Sequence, residues 1–568
     1  MKKIFLSITL CLCSVLGFAE TINVDIHRTQ PQKWEGWGVS LCWWAQMCGK
    51  YDEQHLDSLI SWLTDPQGLN YNIFRYNIGG GDDPEWKHCE PHHMGKRGGK
   101  GLRAEMEGFQ LPDGTWQWDN DAAQRRVMLM IAEKRKDAIF EAFSNSAPWW
   151  MTKSGCVGGN EPASADNLRE DMYEKFADYL VEVCKHYKEK YGITFRTLEP
   201  FNEALTDYWG RSASQEGCHF SVPSQIRFVK TLYPVLQKSG LSTVISASDE
   251  TSVAHSLKAF RGYKEAGILP MIGQWNTHTY QASPWLRKAL RKEVSEAEGG
   301  RMLLWQSETG DGGRGLHGNL MMAKRLIADI RDLQPSAWLD WQYVEVNFDQ
   351  WSLVKCDREW KQYTRHKNYY VRQHFSRFVP AGYKWLNIDS DNALAAISPD
   401  GKTMTVVMVN TERRPIKNTL NLPEGWTYSE GYVTDFHRSM ESLGEQQPTE
   451  EGEMILDRNS IVTLIYTMKP KKLTIEDLTS GKYSVKGVKM NEVLPGEKDK
   501  AELTAEKVEP IYRRSSRAIY KYGDTPIAGG AKVEQPLISP DGKNVAYVKD
   551  NNLYIEPLTA QRSPPQFR

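Results

Sequence analysis

The chain has 568 residues, and its 71 lysines and arginines nearly balance its 72 aspartates and glutamates, for a formal net charge of −1. This balance argues against a polyanionic partner such as a nucleic acid, which binds to strongly basic surfaces, and it is compatible with a neutral ligand. Protein partners and the oligomeric state stay unknown at this level.

The amino terminus has the pattern of a secretory signal. Lysines at positions 2 and 3 precede an apolar run over residues 4–16, and a Gly-Phe-Ala sequence follows it. This pattern predicts a signal peptide over residues 1–19, cleaved after Ala19, and export to the periplasm or beyond. The run is too short for a good membrane span, so no transmembrane span is expected. Cys11 and Cys13 each follow a leucine, which poorly supports a lipoprotein cleavage site and leaves surface anchoring as a minor alternative.

Residues 35–380 alternate short apolar runs with amphipathic stretches, which is typical of parallel strands joined by helices. The clearest helical stretches are residues 168–191 and 318–333. Eight strand-helix units over this length predict an α/β fold, a (β/α)8 barrel with some long loops. The predicted strands are residues 36–43, 71–78, 137–143, 195–201, 242–247, 272–278, 301–306 and 336–342.

Two glutamates fall at the ends of predicted barrel strands. Glu203 in EPFNEALTDYWG ends strand four, and Glu308 in LLWQSETG ends strand seven. Because the C-terminal strand ends of such a barrel meet at one mouth, we expect the two carboxylates to lie together. A facing carboxylate pair is what cleavage of a glycosidic bond requires, since one group protonates the leaving oxygen and the other attacks or stabilises the sugar carbon. The alternative is two unrelated surface glutamates.

Other polar residues at the strand ends have chemical uses. Arg75 ends strand two and is expected beside Glu308, where it would keep that carboxylate ionised; a structural ion pair is its alternative. Asn202 is a candidate to hydrogen-bond a sugar hydroxyl and Glu308. His278 and Tyr280, at the end of strand six, are candidates for orienting the nucleophile or contacting the sugar.

Twenty tryptophans are many for one chain. Aromatic rings stack on the apolar faces of pyranose rings, so this content favours a carbohydrate ligand. We expect about half of the tryptophans near the predicted strand ends to contact substrate and the rest to be core. The candidates are Trp43, Trp44, Trp149, Trp150, Trp209, Trp338 and Trp341.

Cysteines and histidines give little sign of a metal centre. Loss of the signal peptide removes two of nine cysteines, and the odd remainder means that at least one is unpaired unless it pairs between chains. Cys184 lies on a predicted helix face and is expected to be a buried thiol. The loop HCEPHH (88–93) holds potential metal ligands, but no second cluster with zinc spacing accompanies it. We therefore predict a loop of the substrate cleft there, with neither a metal nor a cofactor.

The carboxyl-terminal part changes character twice. Residues 381–468 alternate like strands separated by turns such as SPDGK (398–402), which predicts a β-sandwich. After the linker KPKK (469–472), the segment KLTIEDLTSGKYS resembles the opening of the β-propeller in dipeptidyl peptidase IV-like serine peptidases. The 469–568 segment is too short to close a propeller and has no G-x-S-x-G motif. We predict a truncated, incomplete β-rich tail; a small accessory module is the alternative.

Three longer motifs allow a family to be named. WEGWGVSLCWWA (34–45), FSNSAPWWMTKSGCVGG (143–159) and SQEGCHF (214–220) resemble glycoside hydrolase family 30, and within it the endo-β-1,6-galactanase branch. The resemblance covers roughly residues 21–468. It implies a retaining enzyme with a barrel and a side β-sandwich, to which the segment over residues 20–34 adds a strand.

The resemblance also implies residue roles. Glu203 would be the acid/base, with a raised pKa, and Glu308 the nucleophile, about 5 Å away. Many relatives have proline after the acid/base, whereas this chain has Ala204, which bears on the rigidity of that loop. The implied substrate is a neutral polysaccharide, galactan or the side chains of arabinogalactan. The alternatives are another specificity of the same family (β-glucanase, xylanase or exo-glycosidase) and a noncatalytic polysaccharide-binding protein.

Overall fold

The structure is a computed structural model, and its described residues form two compact units, one within residues 1–471 and one within residues 472–568. The predicted signal peptide, the HCEPHH loop and the KPKK linker lie outside the described residues. Those residues are 20–83, 106–213, 215–346, 350–357, 359, 361–468, 503–506, 519–522, 525–539, 543–550 and 552–557.

A closed barrel of eight parallel strands forms the centre of the first unit, with the strands in sequence order around the barrel. The first strand pairs with both the second and the eighth, which closes the ring. All eight predicted strands are present, and the α/β barrel prediction is confirmed. The barrel strands are Gly36–Ser40, Ile73–Asn77, Ile139–Phe143, Thr197–Glu199, Val244–Ser252, Ile272–Gln281, Leu303–Glu308 and Ala337–Asp340.

Helices connect the strands on the outside of the barrel, as βαβ crossovers require. The predicted helix at 168–191 begins later, at Tyr173, and ends at Tyr191; Gly192 follows it, and its φ of 70° suits the left-handed position at a helix C-terminus. The predicted helix at 318–333 is Gly315–Ala328 followed by a π-helical turn, Asp329–Leu333. The helices are Trp44–Cys48, Glu53–Thr64, Ala122–Lys134, Tyr173–Tyr191, Val222–Lys238, Val253–Glu265, Pro284–Glu296, Gly315–Ala328 and Lys367–Ser376.

Two sheets follow the barrel as a β-sandwich. A six-stranded antiparallel sheet faces a three-stranded sheet, whose first strand, Glu20–Asn23, pairs in parallel with Ile416–Asn421. Side chains from both sheets, among them Ile22 and Leu464, form one apolar core. The larger sheet runs in the order Lys384–Trp385, Ala393–Ile397, Thr403–Asn410, Ser460–Met468, Trp426–Thr434 and Glu441–Ser442; the smaller in the order Glu20–Asn23, Ile416–Asn421 and Glu453–Leu456.

Smaller sheets complete the described structure. One follows the eighth barrel strand, and two belong to the second unit, where Asn544–Lys549 and Asn552–Pro557 pair as a hairpin. Among the described residues, every helix is too short or too polar to cross a lipid bilayer. These strands are Gln342–Val346, Ser352–Cys356 and Tyr363–Arg365; then Leu503–Glu506, Ile519–Tyr522 and Thr525–Pro526; and last Glu534–Ile538, Asn544–Lys549 and Asn552–Pro557.

Most of the cysteines that the structure describes are buried thiols. Cys156 is in a disulfide bond, whereas Cys184 is a free thiol with 1% of its surface exposed, as its place on a helix face predicted. The other free and buried cysteines among the described residues are Cys42, Cys48, Cys218 and Cys356.

Candidate active site

A cavity of about 490 Å³ opens where the barrel strands end, and both predicted carboxylates line it. Glu308 is the last residue of the seventh strand, and Glu203 lies four residues beyond the end of the fourth. The lining residues are Glu203, Tyr208, Trp209, Ala213, Gln215, Thr251, Tyr280, Glu308, Trp341 and Trp351.

The two carboxylates face each other across His278. One oxygen of Glu203, one oxygen of Glu308 and one ring nitrogen of His278 all lie within 4.8 Å of one another. The side chains are almost wholly buried, with 7% of Glu203 and 3% of Glu308 exposed. The two glutamates are about a hundred residues apart in sequence, and the parallel barrel brings them together at its mouth, as their positions at the strand ends predicted.

Glu308 is held by one cation and one hydroxyl. Arg75 Nη1 donates to Glu308 Oε2 over 3.0 Å, and the hydroxyl of Tyr280 donates to Oε1 over 3.0 Å. Arg75 also donates to Glu141 over 3.0 Å and pairs with Asp249, and all these partners are fully buried. Both interpretations of Arg75 therefore apply, because the arginine contacts the candidate nucleophile and is also part of a buried ion network.

Glu203 accepts hydrogen bonds at both oxygens. Thr251 Oγ1 donates to Oε1 over 2.6 Å, and His278 Nδ1 lies 3.1 Å from the same oxygen. The hydroxyl of Tyr208 donates to Oε2 over 2.5 Å. The indole N–H of Trp209 donates to the backbone carbonyl of Glu203 over 3.0 Å, which fixes the main chain as well.

The backbone around Glu203 is anchored although Ala204 replaces the proline of many relatives. Ala204 is fully buried, and its carbonyl accepts the N–H of Phe220 over 3.0 Å. The next N–H, of Leu205, donates to the buried carboxyl of Glu250 over 2.9 Å. Burial raises the pKa of Glu250 to about 8, and this group also accepts from Gln225. Tertiary hydrogen bonds therefore hold the loop in place of a proline ring.

Protonation of the site differs from the expectation. Burial raises the pKa of Glu308 to about 7, although the positive charges of His278 and Arg75 oppose the rise. Burial also acts on Glu203, but a hydrogen bond from His278, the charge of that ring and the hydroxyls of Thr251 and Tyr208 together lower its pKa. Of the pair, Glu308 thus has the raised pKa and Glu203 the lowered one, whereas the sequence resemblance implied a raised pKa for Glu203.

His278 carries a positive charge at neutral pH. Burial lowers its pKa, but the charges of Glu308 and Asp249 outweigh burial and raise it to about 10. Its Nε2 lies 3.0 Å from Asp249 Oδ1, and its Nδ1 lies near both catalytic candidates. One atom each of Glu203, His278 and Glu308 lie close enough together to ligate a cation, which would have to displace a proton from the ring of His278.

Asp249 is a residue that the sequence reasoning missed. Its carboxylate pairs with Arg75 and His278 and accepts the hydroxyl of Ser307. The fifth strand was predicted to end at residue 247, but it runs to Ser252 and includes Asp249 and Glu250. The prediction failed because two adjacent acidic residues indicate a loop unless buried cations compensate them. The sequence signal that could have revealed the longer strand was the polar run SASDETS, which directly follows the apolar start of that strand.

Asn202 is buried, with 3% of its surface exposed, and its Oδ1 has no hydrogen-bond partner among the described residues. A buried unpaired amide oxygen is costly unless a ligand or water satisfies it. Asn202 is not among the residues that line the cavity, and its contact with a sugar hydroxyl stays a prediction.

The predicted tryptophans divide into three groups. Trp209 and Trp341 line the cavity, and Trp43 packs edge-on against Trp341 with ring centroids 6.1 Å apart. Trp149 and Trp150 line a separate cavity of about 600 Å³.

Trp44 and Trp338 do not reach the cleft. Trp44 has no exposed surface, packs edge-on against Tyr343 and donates its indole N–H to the carbonyl of Ser40. Trp338 is likewise fully buried and donates to Asp329. Both are core residues, so the assignment of Trp44 to the substrate is corrected. Trp351, which does line the cavity, was not predicted, because it follows the last barrel strand in an irregular stretch.

Comparisons with known proteins agree with this architecture. Residues 19–264 match the family described as O-Glycosyl hydrolase family 30. The chain is 29% identical over 425 residues to an endo-beta-1,6-galactanase of Hypocrea rufa, a match that covers 72% of this chain and 85% of the relative. It is 25% identical over 540 residues to an exo-beta-1,6-galactobiohydrolase of Bifidobacterium longum subsp. longum, covering 70% of this chain and 35% of that protein.

Solved structures share the fold. The catalytic domain of GH30 xylanase C from Talaromyces cellulolyticus matches with a TM-score of 0.60 and 20% identity, over 79% of this chain and all of that one. A conserved exported protein from Bacteroides fragilis matches with a TM-score of 0.65 and 20% identity, over 78% of this chain and all of that one. The family match over residues 19–264, the relatives and the paired carboxylates at the barrel mouth identify the chain as an O-glycosyl hydrolase.

Proposed function

We propose that the chain is a retaining endo-β-1,6-galactanase acting on galactan or arabinogalactan side chains, with Glu203 as acid/base and Glu308 as nucleophile. The observation that carries the mechanism is the approach of the two carboxylates to within 4.8 Å. This separation is close to the roughly 5 Å of retaining enzymes and leaves too little room for the water that an inverting enzyme places between them. The galactanase relative supports the substrate.

The proposed reaction has two displacements. Glu203 donates a proton to the glycosidic oxygen while Glu308 attacks the anomeric carbon, so the leaving sugar departs and a glycosyl ester forms on Glu308. Glu203 then takes a proton from water, the water oxygen attacks the same carbon, and Glu308 is released as a carboxylate. Arg75 and Tyr280 are placed to orient the nucleophile, because both donate hydrogen bonds to the carboxylate oxygens of Glu308.

The first displacement requires a proton on Glu203 and an ionised Glu308, whereas in the free site the pKa of Glu308 is raised and that of Glu203 is lowered. His278 offers a route, because its Nδ1 is 3.1 Å from Glu203 Oε1 and 3.5 Å from Glu308 Oε1. The imidazolium gives its Nδ1 proton to Glu203 and receives the proton of Glu308, so the ring ends unchanged. Positive charge developing on the bound sugar favours an ionised Glu308 and drives this transfer.

The first experiment incubates the full chain with debranched β-1,6-galactan and separates the products by size over time. A ladder of galacto-oligosaccharides, with the β-anomer appearing first by NMR, is the expected result. Cleavage of xylan or β-glucan alone would keep the mechanism and replace the substrate. Binding without cleavage of any glycan would leave the noncatalytic polysaccharide-binding protein.

An exo-acting enzyme is the second candidate, because one relative is an exo-beta-1,6-galactobiohydrolase. The same time course separates the two: an exo-enzyme of that kind releases a disaccharide from the start and leaves the polymer long, whereas an endo-enzyme shortens the polymer at once.

We also propose export through the amino-terminal signal. The disulfide at Cys156 supports it, since such bonds persist in oxidising compartments. For the tail, the hairpin of Asn544–Lys549 and Asn552–Pro557 supports its interpretation as the start of a propeller blade. Fractionation of the native host and sequencing of the mature amino terminus test export, and limited proteolysis tests whether the tail is a folded module.

A further inference from the structure

The β-sandwich holds a further cavity, of about 640 Å³, none of whose lining residues belongs to the catalytic cleft. Its floor is aromatic and comes from the six-stranded sheet. Tyr428 and Tyr466 are directly opposite each other on neighbouring strands, and Trp426 lies two residues before Tyr428. Residues two apart on a strand share a face, so all three rings belong to the same side of the sheet.

Two turns form the rim of this cavity. Residues 422–425 connect the strand Ile416–Asn421 of the small sheet to the strand of Trp426, and residues 447–452 precede the strand Glu453–Leu456. The cavity therefore lies at one end of the sandwich, where side chains do not fill the space between the sheets. The cavity opens to solvent, so a ligand can enter it.

Two polar atoms at this cavity lack partners. The indole N–H of Trp426 and the hydroxyl of Tyr466 are both buried, and neither has a hydrogen-bond partner among the described residues. Tyr466 as a whole is 4% exposed. Buried polar atoms are almost always satisfied, and a ligand with hydroxyl groups would satisfy both.

We propose that this cavity is a second carbohydrate-binding site, which takes a segment of a neutral glycan. Aromatic rings with nearby polar groups suit sugar faces and hydroxyls, and the volume falls in the range of about 300–1,000 Å³ of small-ligand sites. The described lining includes three glutamates, Glu424, Glu450 and Glu451, and neither lysine nor arginine. Carboxylates accept hydrogen bonds from hydroxyls and repel anionic sugars, so the ligand is a neutral polysaccharide, the class that the proposed function assigns to the catalytic cleft.

The site would tether the enzyme to its polymer. A second contact on the same chain raises the effective concentration of substrate at the cleft without altering the chemistry. Short oligosaccharides cannot engage both sites at once and should gain nothing from the tether.

The test is affinity electrophoresis of the full chain in native gels that contain β-1,6-galactan, xylan or β-1,6-glucan. Every protein carries Glu308→Gln, so that polymer is bound and not cleaved. Trp426→Ala removes a ring of the floor, and Tyr466→Phe removes only a hydroxyl, which keeps the packing. Trp285→Ala is the matched control, since this tryptophan is 68% exposed on the helix Pro284–Glu296.

We expect both sandwich variants to bind the polymer about threefold or more weakly than the control. In the active background, both should keep the kcat/KM of the parent on a short oligosaccharide. If either variant binds as tightly as Trp285→Ala to the polymer that the active enzyme cleaves, the proposal of a second site is overturned. If the parent cleaves xylan or β-glucan and not galactan, the proposed substrate fails, and the comparison of variants on that polymer still decides the site. An absence of retardation for the parent on every polymer would reject the second site, while cleavage by the active enzyme still decides the proposed function.

Discussion

The backbone N–H of Glu203 donates a 2.8 Å hydrogen bond to the carbonyl of Asp249, and both residues have left-handed backbones, with φ of 50° and 54°. Such conformations are costly for residues other than glycine and persist where surrounding contacts enforce them. The side chain of Asp249 meanwhile pairs with Arg75 and His278. Asp249 thus connects the main chain of Glu203, the candidate acid/base, with Arg75 and His278, the cations beside the carboxylate pair.

Removing either carboxylate should separate their roles. Glu308→Ala is expected to abolish cleavage, because no group remains to attack the sugar. Glu203→Ala should slow cleavage of polysaccharide by about 10²–10⁴-fold, the usual contribution of general acid catalysis. Substrates with good leaving groups need no acid and should lose much less. Steady-state rates on galactan and on an aryl glycoside measure this, and turnover at the parental rate in either variant would refute the assignment.

The pH profile should report the proton shared by the pair. Activity needs one proton on the two carboxyls, and the higher pKa is about 7 at Glu308. As pH rises through that value the proton is lost, so kcat/KM should fall about tenfold per unit above it. The acid limb should lie below 4.5, because the pKa of Glu203 is lowered from that value. An aryl substrate with a good leaving group serves as the control, and its alkaline limb should be weaker. A polysaccharide profile that stays flat from pH 6 to 9 would contradict this prediction.

Asp249→Asn should change the profile as well as the rate. The charge of Asp249 raises the pKa of Glu308, so its removal should move the alkaline limb of kcat/KM to lower pH. Loss of one partner from a buried ion network also costs about 3–5 kcal/mol of stability. Thermal unfolding measures the second effect separately. Glu250→Gln is a neighbouring control that keeps the ion network, and a limb that stays in place in Asp249→Asn would show that Asp249 is only structural.

Arg75→Lys should be severely impaired although the charge is kept. The guanidinium donates to Glu141 and Glu308 from two different nitrogens and pairs with Asp249 through the third. A single ammonium cannot match this geometry. We expect kcat to fall by about 10²-fold or more, the cost of losing a preorganised charged group. Near-parental kcat in a folded Arg75→Lys protein would contradict the inferred contact with the nucleophile.

Replacement of Trp44 should affect stability, whereas replacement of Trp351 should affect substrate binding. Trp44 is fully buried in the barrel core, so Trp44→Ala should lower the free energy of unfolding by about 3–5 kcal/mol. Trp351 is partly exposed at the cavity, so Trp351→Ala should raise KM with little change in stability. Chemical denaturation and steady-state kinetics of both variants check the pair, and equal losses of stability would contradict the distinction.

The amino-acid sequence by itself determined the barrel and the meeting of the two carboxylates. Strand and helix periodicity is local, and parallel strands bring their C-terminal ends to one mouth whatever the side chains do. Positions 203 and 308 were therefore predictable as a pair, and so was the contact between Arg75 and Glu308.

Only the tertiary structure decided the charge state of the site and the use of each aromatic ring. Asp249 looks like a loop residue until Arg75, about 170 positions away, neutralises it. The pKa of Glu308 is raised because burial and the nearby charges of Glu203 and Asp249 outweigh the positive charges of His278 and Arg75. Trp44 and Trp43 are adjacent in sequence, yet one is core and the other packs beside the cleft. These outcomes depend on the distances between residues that are far apart in the chain. Those distances set both the energies of charge pairs and the cost of desolvation, and local sequence patterns do not contain them.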